Sequence, residues 1–222
     1  MTAPDASHLA DAVVELGRRV VTAGLVLGSG GNVSARQRPD EVLVTPSGHA
    51  LDHLEAHELV TLGIDGEVRG ASGGRRPSSE SAMHLAAHRA RPDTGVALHV
   101  HPPYVNVLLA TGRPIRLLTV DHAYYVRRMA RLPWLPTGSE ELSDAVAAAL
   151  ASADVVLIAH HGCLVVAPDT DAAFERATNL EAAAAATYRA LVLGDTSAQC
   201  PPAYLERIEA QEAGGIHYGR DS

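Results

Sequence analysis

The sequence contains no lysine: all 18 of its basic residues are arginine. Chemistry that needs a lysine amine is therefore excluded. That covers a Schiff base with a carbonyl substrate, pyridoxal-phosphate catalysis and a Walker-type phosphate loop. Cysteine is scarce. Cys163 and Cys200 alone make neither a disulfide framework nor a thiolate zinc site, and a reduced, cytosolic setting fits them. No apolar run reaches the roughly 18 residues of a membrane span. The N-terminus has no basic segment followed by an apolar one, so neither a span nor a signal peptide is expected. Positive charge is outweighed, 18 against 26 acidic residues for a net charge of −8. That argues against a nucleic-acid partner, which calls for a basic surface.

Histidine, by contrast, is abundant, with 12 residues. Imidazole binds metals and moves protons near neutral pH. The 222 residues, 46% apolar and 20% charged, suit one compact α/β domain over 1–222, with a C-terminal tail from about residue 200.

Apolar spacing predicts an amphipathic helix from about Ala6 to Ala23, broken by Gly28-Ser29-Gly30-Gly31. Val33 to Ala35 and Glu41 to Thr45 read as strands, and Asp65-Gly66 as the turn of a hairpin. Ser78 or Ser79 is positioned to cap a helix running to about Arg91. Gly95 to Val100, Arg116 to Val120, Tyr124 to Met129, Val155 to Ala159 and Cys163 to Val166 read as strands. Helices are expected after Pro102-Pro103, after Ser139, and from Ala172 to Leu193, where the run Ala182 to Ala186 belongs to the helix. Strands and helices do not alternate strictly. That favours a sheet with helices packed on it over a regular doubly wound fold.

Two histidine groups are candidates for metal chemistry, with ordinary surface or strand-end histidines as the alternative. In His99-Val100-His101 the two imidazoles share one face of a strand, roughly 6–7 Å apart at the backbone, a spacing at which two nitrogens reach one ion. His160-His161-Gly162 ends a second apolar strand. Adjacent side chains point oppositely, so one of the two faces the first pair, and the glycine permits close approach. Three neutral imidazoles with an open position is the pattern of a catalytic zinc. Glu80 follows Pro77-Ser78-Ser79 at a helix start. It reads as a general base beside a metal, its pKa raised by partial burial. Gly30 to Ser34, Thr45 to Gly48 and Ser78-Ser79 each offer free backbone N–H groups or polar side chains to an anion. His49, His53 and His57 have loose spacing. His84 and His88 read as a helix face, and Arg75-Arg76 as a solvated loop.

Gly31-Asn32-Val33-Ser34, Thr45-Pro46-Ser47-Gly48, Pro77-Ser78-Ser79-Glu80, His99-Val100-His101 and His160-His161-Gly162 occur in that order. Together they resemble the motifs of the class II sugar-phosphate aldolase/adducin family, over about residues 8 to 195, most closely its fuculose-phosphate aldolase branch. The resemblance implies a three-layer α/β/α fold around a largely antiparallel sheet and a homotetramer with active sites between subunits. It implies Zn2+, or another divalent metal such as Mn2+ or Co2+, on His99, His101 and His161; here His161 is chosen over His160 because it directly precedes the glycine. It places Glu80 as catalytic acid/base, and Asn32, Ser47, Gly48, Ser78 and Ser79 around a substrate phosphate.

The implied reaction is reversible cleavage of a ketose 1-phosphate to dihydroxyacetone phosphate and an aldehyde, with L-fuculose 1-phosphate or a short 5-deoxypentulose 1-phosphate as substrate. A ribulose-5-phosphate-type 4-epimerase, a related dehydratase or decarboxylase, and an adducin-like protein-binding head are the alternatives. The chain departs from the family at the second acid/base. Without gaps, the family's tyrosine falls on Val120. Tyr124, Tyr125 and His122 stand nearby, and Tyr218-Gly219-Arg220 resembles the family's C-terminal tyrosine pattern. Tyr124 and Tyr218 are the catalytic candidates carried forward.

Overall fold

Along the strands, side chains of opposite parity go to opposite faces of one sheet, as the pleat requires. The computed structural model of the chain describes residues 6–213. Its strands are β1 (Asn32–Arg38), β2 (Glu41–Val44), β3 (Val60–Gly63), β4 (Val68–Ala71), β5 (Val96–Val100), β6 (Met129–Leu132), β7 (Val155–Ile158) and β8 (Gly162–Ala167). They form an eight-stranded sheet in the order β4-β3-β2-β1-β5-β8-β7-β6. Every pairing is antiparallel except β6 with β7.

The helices are α1 (Ala6–Thr22), α2 (Ser81–Ala90), α3 (Pro103–Ala110), α4 (Val120–Val126), α5 (Glu140–Ala149), α6 (Thr170–Val192) and α7 (Pro202–Ala213). On one face, Val33 and Ala35 of β1, Leu98 and Val100 of β5, and Cys163 and Val165 of β8 pack with apolar residues of α1, α3 and α6. On the other, Ala97 of β5, Val156 and Ile158 of β7, and Leu164 and Val166 of β8 pack with Met83 and Ala87 of α2 and Leu142 and Val146 of α5. The result is the expected three-layer α/β/α arrangement around a largely antiparallel sheet. Each fully buried Leu or Val contributes about 1.5–3 kcal/mol, so the two apolar faces set which side of each strand turns to which helical layer.

Three local readings are corrected. The segment from Tyr124 is not a strand. Thr119 accepts a hydrogen bond from the His122 N–H at 3.2 Å and starts α4, and Ala123 and Val126 are buried along it, Val126 in the main core and Ala123 against α7. The cap and the packing override the local β preference of the Tyr-Tyr-Val run. Arg116 to Val120 forms no ladder either. The Arg116 N–H is bound by the Thr187 hydroxyl, and its guanidinium by the carbonyls of Asp195 and Ala198. Finally, the N-cap of α2 is Glu80, without a side-chain cap bond, and Ser78 stands two residues before it, its hydroxyl accepting from the Glu80 N–H at 3.2 Å. Ser78 is held in extended pairing, its N–H donating to the Thr45 carbonyl, so helical geometry begins only at Ser81. The alanine run lies within α6, and the N-terminus of that helix is capped by Asp169, which accepts from the Ala172 N–H at 2.8 Å. Among the described residues no helix is long and apolar enough to cross a membrane.

Candidate metal and active site

Parity places His99 and His101 together. Val100 between them faces the α1/α3/α6 layer, so both imidazoles turn to the α2 side. His99 is fully buried. Its Nδ1 lies 3.0 Å from the carbonyl of Cys163, across the β5–β8 ladder. A carbonyl only accepts, so Nδ1 carries the proton and the Nε2 lone pair is free for an ion, the usual arrangement of a metal-binding histidine.

His161 arrives from the β7–β8 turn, not from a strand. His160 there has φ 57°, the left-handed region that non-glycine residues seldom occupy. The backbone reverses at that residue, leaving His160 exposed and His161 half-buried. His161 thereby joins the pair. The ring centroids are 4.7 Å (His99–His101), 4.8 Å (His99–His161) and 5.4 Å (His101–His161) apart. One nitrogen from each of the three lies within 4.8 Å of the others. The Nε2 atoms of His99 and His101 are 2.9 Å apart. Burial, with the neighbouring histidines, pushes the His101 pKa down to about 4, so its ring is neutral at pH 7. Neutral imidazole nitrogens converging on one point suit a divalent ion of the zinc type, where ligand nitrogens at about 2.0–2.1 Å from the metal leave room for an open position. The donor set therefore fits such an ion.

Glu80, at the head of α2 and buried, closes the cluster. Its Oε1 is 3.1 Å from His161 Nε2 and its Oε2 3.2 Å from His99 Nε2. Oε2 also accepts from Asn32 Nδ2 at 2.9 Å. Burial raises the pKa of this carboxyl, as expected from the sequence, but the adjoining imidazoles of His161 and His99 and the Asn32 amide outweigh it and hold the group well below the usual carboxylate range. The expected raised pKa is thus reversed, and the carboxylate is ionised.

The three polar loops converge on this centre. The Val33 N–H donates to Thr45 Oγ1 and the Thr45 N–H to the Val33 carbonyl, tying the Asn32 segment to the end of β2. Pro46 bridges Pro77, and the Ser47 N–H donates to the Arg76 carbonyl at 3.0 Å. Ser47-Gly48 therefore lies beside Ser78-Ser79, immediately before Glu80. Ser47 also lines a polar pocket with His57, Gly73, Gly74, Arg75 and Arg76. Arg75 is not simply solvated: it is ion-paired with Glu58. The Asn32 amide is engaged by Glu80 and by His84.

Tyr124 is not brought to the histidines. It packs with Ala123, Cys200, Tyr204 and Ile208 beside α7, and burial raises its pKa. Tyr218 lies outside the described residues. Sequence reading missed His84 and His88 as parts of the site's surroundings, and it gave Ser34 to an anion-binding loop, whereas its buried hydroxyl lies between those two imidazoles. The signal was present: Glu80, His84 and His88 recur every four residues on one helix stripe, and Asn32 and Ser34 alternate on one strand face.

The family model described as the Class II Aldolase and Adducin N-terminal domain matches residues 11–188. A Rhodospirillum rubrum protein named 5-methylthioribulose-1-phosphate/5-deoxyribulose-1-phosphate aldolase is 33% identical over 197 residues, covering 88% of this chain and 87% of that one. A Bacillus thuringiensis 5-deoxy-D-ribulose 1-phosphate aldolase is 30% identical over 184 residues, 82% of this chain and 85% of its own. Among solved structures, an L-fuculose 1-phosphate aldolase superposes with a TM-score of 0.85 at 26% identity, covering 96% of this chain and 100% of the other.

Proposed function

The chain belongs to the class II aldolase and adducin family and is a class II aldolase, a carbon–carbon lyase; on that premise we propose that it reversibly cleaves a ketose 1-phosphate to dihydroxyacetone phosphate and an aldehyde. The substrates we assign are 5-deoxypentulose 1-phosphates and L-fuculose 1-phosphate, the classes named for its relatives. The observation that carries this reading is Glu80, whose carboxylate touches two of three converging imidazoles and directly follows the Ser78-Ser79 arm of the paired loops.

His99, His101 and His161 would hold the ion, which we take to be Zn2+. A divalent cation there supplies Lewis-acid stabilisation for the negative charge left by carbon–carbon cleavage, the part a lysine iminium would play in a chain that had lysine. Ser47, Gly48, Ser78 and Ser79, with Asn32, bind the phosphate through hydroxyl and amide donors. In the condensation direction the ionised Glu80 takes a proton from the hydroxymethyl carbon of dihydroxyacetone phosphate. That carbon attacks the aldehyde carbon, and the carbonyl electron pair moves to oxygen. A second acid, which we assign to Tyr218 in preference to Tyr124, protonates that oxygen. Cleavage is the reverse, with Glu80 returning its proton to carbon. The reading takes residues 1–222 as one cytosolic domain acting as a homotetramer.

The test is release of dihydroxyacetone phosphate by zinc-loaded protein from L-fuculose 1-phosphate and several 5-deoxypentulose 1-phosphates, with chelated and Glu80→Gln controls. Release that disappears in both controls supports the reading and ranks the substrates. No release from any of them, in protein holding one metal per chain, overturns it in favour of the epimerase or decarboxylase chemistry.

A further inference from the structure

Behind Glu80 a row of polar side chains runs inward between β1 and α2. Asn32 Oδ1 is 2.5 Å from His84 Nε2. His84 Nδ1 is 2.7 Å from Ser34 Oγ, and Ser34 Oγ is 2.8 Å from His88 Nε2. Ser34 and both imidazoles are almost wholly buried. Apolar residues would fill this space at no desolvation cost, so packing alone does not account for the row. We propose that Ser34, His84 and His88 are positioning residues that act through Asn32 to hold the Glu80 carboxylate in place. This rests on the reading of Glu80 as the acid/base.

The chain has one polarity, and its end at Glu80 sets it. A carboxylate only accepts, so Asn32 turns its NH2 group toward Oε2 and its carbonyl toward His84. His84 must then donate from Nε2. Burial, with neighbouring charge, pushes the pKa of His84 and of His88 down to about 3, so both rings are neutral and carry a single N–H. A proton on His84 Nε2 leaves Nδ1 bare, and the Ser34 hydroxyl donates to it. The same oxygen accepts from His88 Nε2–H. Each group thus fixes the next. A flipped Asn32 amide would set its carbonyl against the Glu80 carboxylate and an N–H against the His84 N–H. Without His84 only the Glu80 carboxylate opposes that rotation, and the donor to Glu80 is held less firmly.

The structure therefore assigns the same tautomer, protonated at Nε2, to both histidines. The experiment is nitrogen-15 NMR of the full-length, histidine-labelled, metal-loaded protein at pH 7, paired with kinetics of Ser34→Ala, His84→Leu and His84→Gln. The expected spectrum shows neutral His84 and His88, each protonated at Nε2, and Ser34→Ala removes that preference at His84. His84→Leu and Ser34→Ala lower kcat by about 10- to 100-fold, a typical cost of losing a supporting hydrogen bond, with KM little changed. His84→Gln, which keeps a donor near Nε2, restores most of the kcat. A spectrum with either ring protonated at Nδ1 or cationic overturns the proposal, whatever the activity. So does an unchanged kcat in both Ser34→Ala and His84→Leu, or a loss in which kcat and KM follow stability alone. If the wild-type chain cleaves no ketose phosphate, the functional reading fails and the tautomers still decide the chain.

Discussion

The imidazole of His101 occupies the space beside Gly162 where any other residue would carry its β-carbon: such an atom would fall 2.4 Å from His101 Cδ2 and 2.6 Å from the Val100 carbonyl oxygen. The second obstacle is backbone of the neighbouring strand, so the ring cannot simply swing aside. Gly162→Ala is expected to displace His101, lower metal affinity at least about 10-fold and cost about 1–3 kcal/mol of stability through overpacking. Metal titration and thermal unfolding of the purified variant check this. Full metal content at wild-type affinity would show that His101 is not displaced from an ion or does not hold one.

His160 holds the turn that delivers His161, in a backbone region (φ 57°) that a β-branched residue resists more strongly than glycine. His160→Val should lose about 1–2 kcal/mol and His160→Gly should lose nothing or gain, since strain of this kind costs on the order of 1–3 kcal/mol. Urea unfolding of the two variants measures the difference. Equal stabilities would mean the turn is not strained.

The proposed mechanism divides two proton transfers between Glu80 and Tyr218, and they can be read separately. Tyr218→Phe should slow cleavage by at least about 100-fold. It should leave intact the exchange of the dihydroxyacetone phosphate hydroxymethyl proton with deuterated water, which needs Glu80 alone. Tyr124, packed beside α7, should tolerate replacement by Phe in both assays. A slowed cleavage in Tyr124→Phe with none in Tyr218→Phe would reverse the assignment.

Acid should destabilise the fold through His84 and His88. Both bind protons less readily folded, with pKa about 3, than at the ordinary value of 6.5. The unfolded chain therefore holds more protons between those values. Stability is present above about pH 6.5 and is lost as pH falls toward 3, by about 2 kcal/mol per histidine between pH 7 and 5. Denaturant midpoints measured at pH 7, 6 and 5 should show that slope, and it should be about halved in His88→Gln. A flat profile would mean that neither ring has its proton affinity lowered by folding, and a slope half as steep that only one has.

Much of this was open to view in the linear chain. The absence of lysine, the ordered His-x-His, His-His-Gly and Ser-Ser-Glu motifs, and the alternation of β5 and β8 are local properties, and they define the α/β class and the ligand candidates. A helix cap and a strand's parity depend on neighbours a few residues away, which is why Ser139 was legible as the start of a helix. The Tyr124 segment was misread because Thr119 and the packing of Ala123 and Val126 outweigh local preference. Three things were decided only by tertiary structure. The pairing of β5 with both β1 and β8 sets Asn32 and the Cys163 carbonyl beside His99, partners tens of residues apart in sequence. The closeness of His161, His99 and Asn32 to Glu80 holds that carboxyl ionised where burial alone would have raised its pKa. And the meeting of a strand period of two with a helical repeat of four, Asn32 and Ser34 against Glu80, His84 and His88, turns two histidines that read as an ordinary helix face into a buried chain leading to the site.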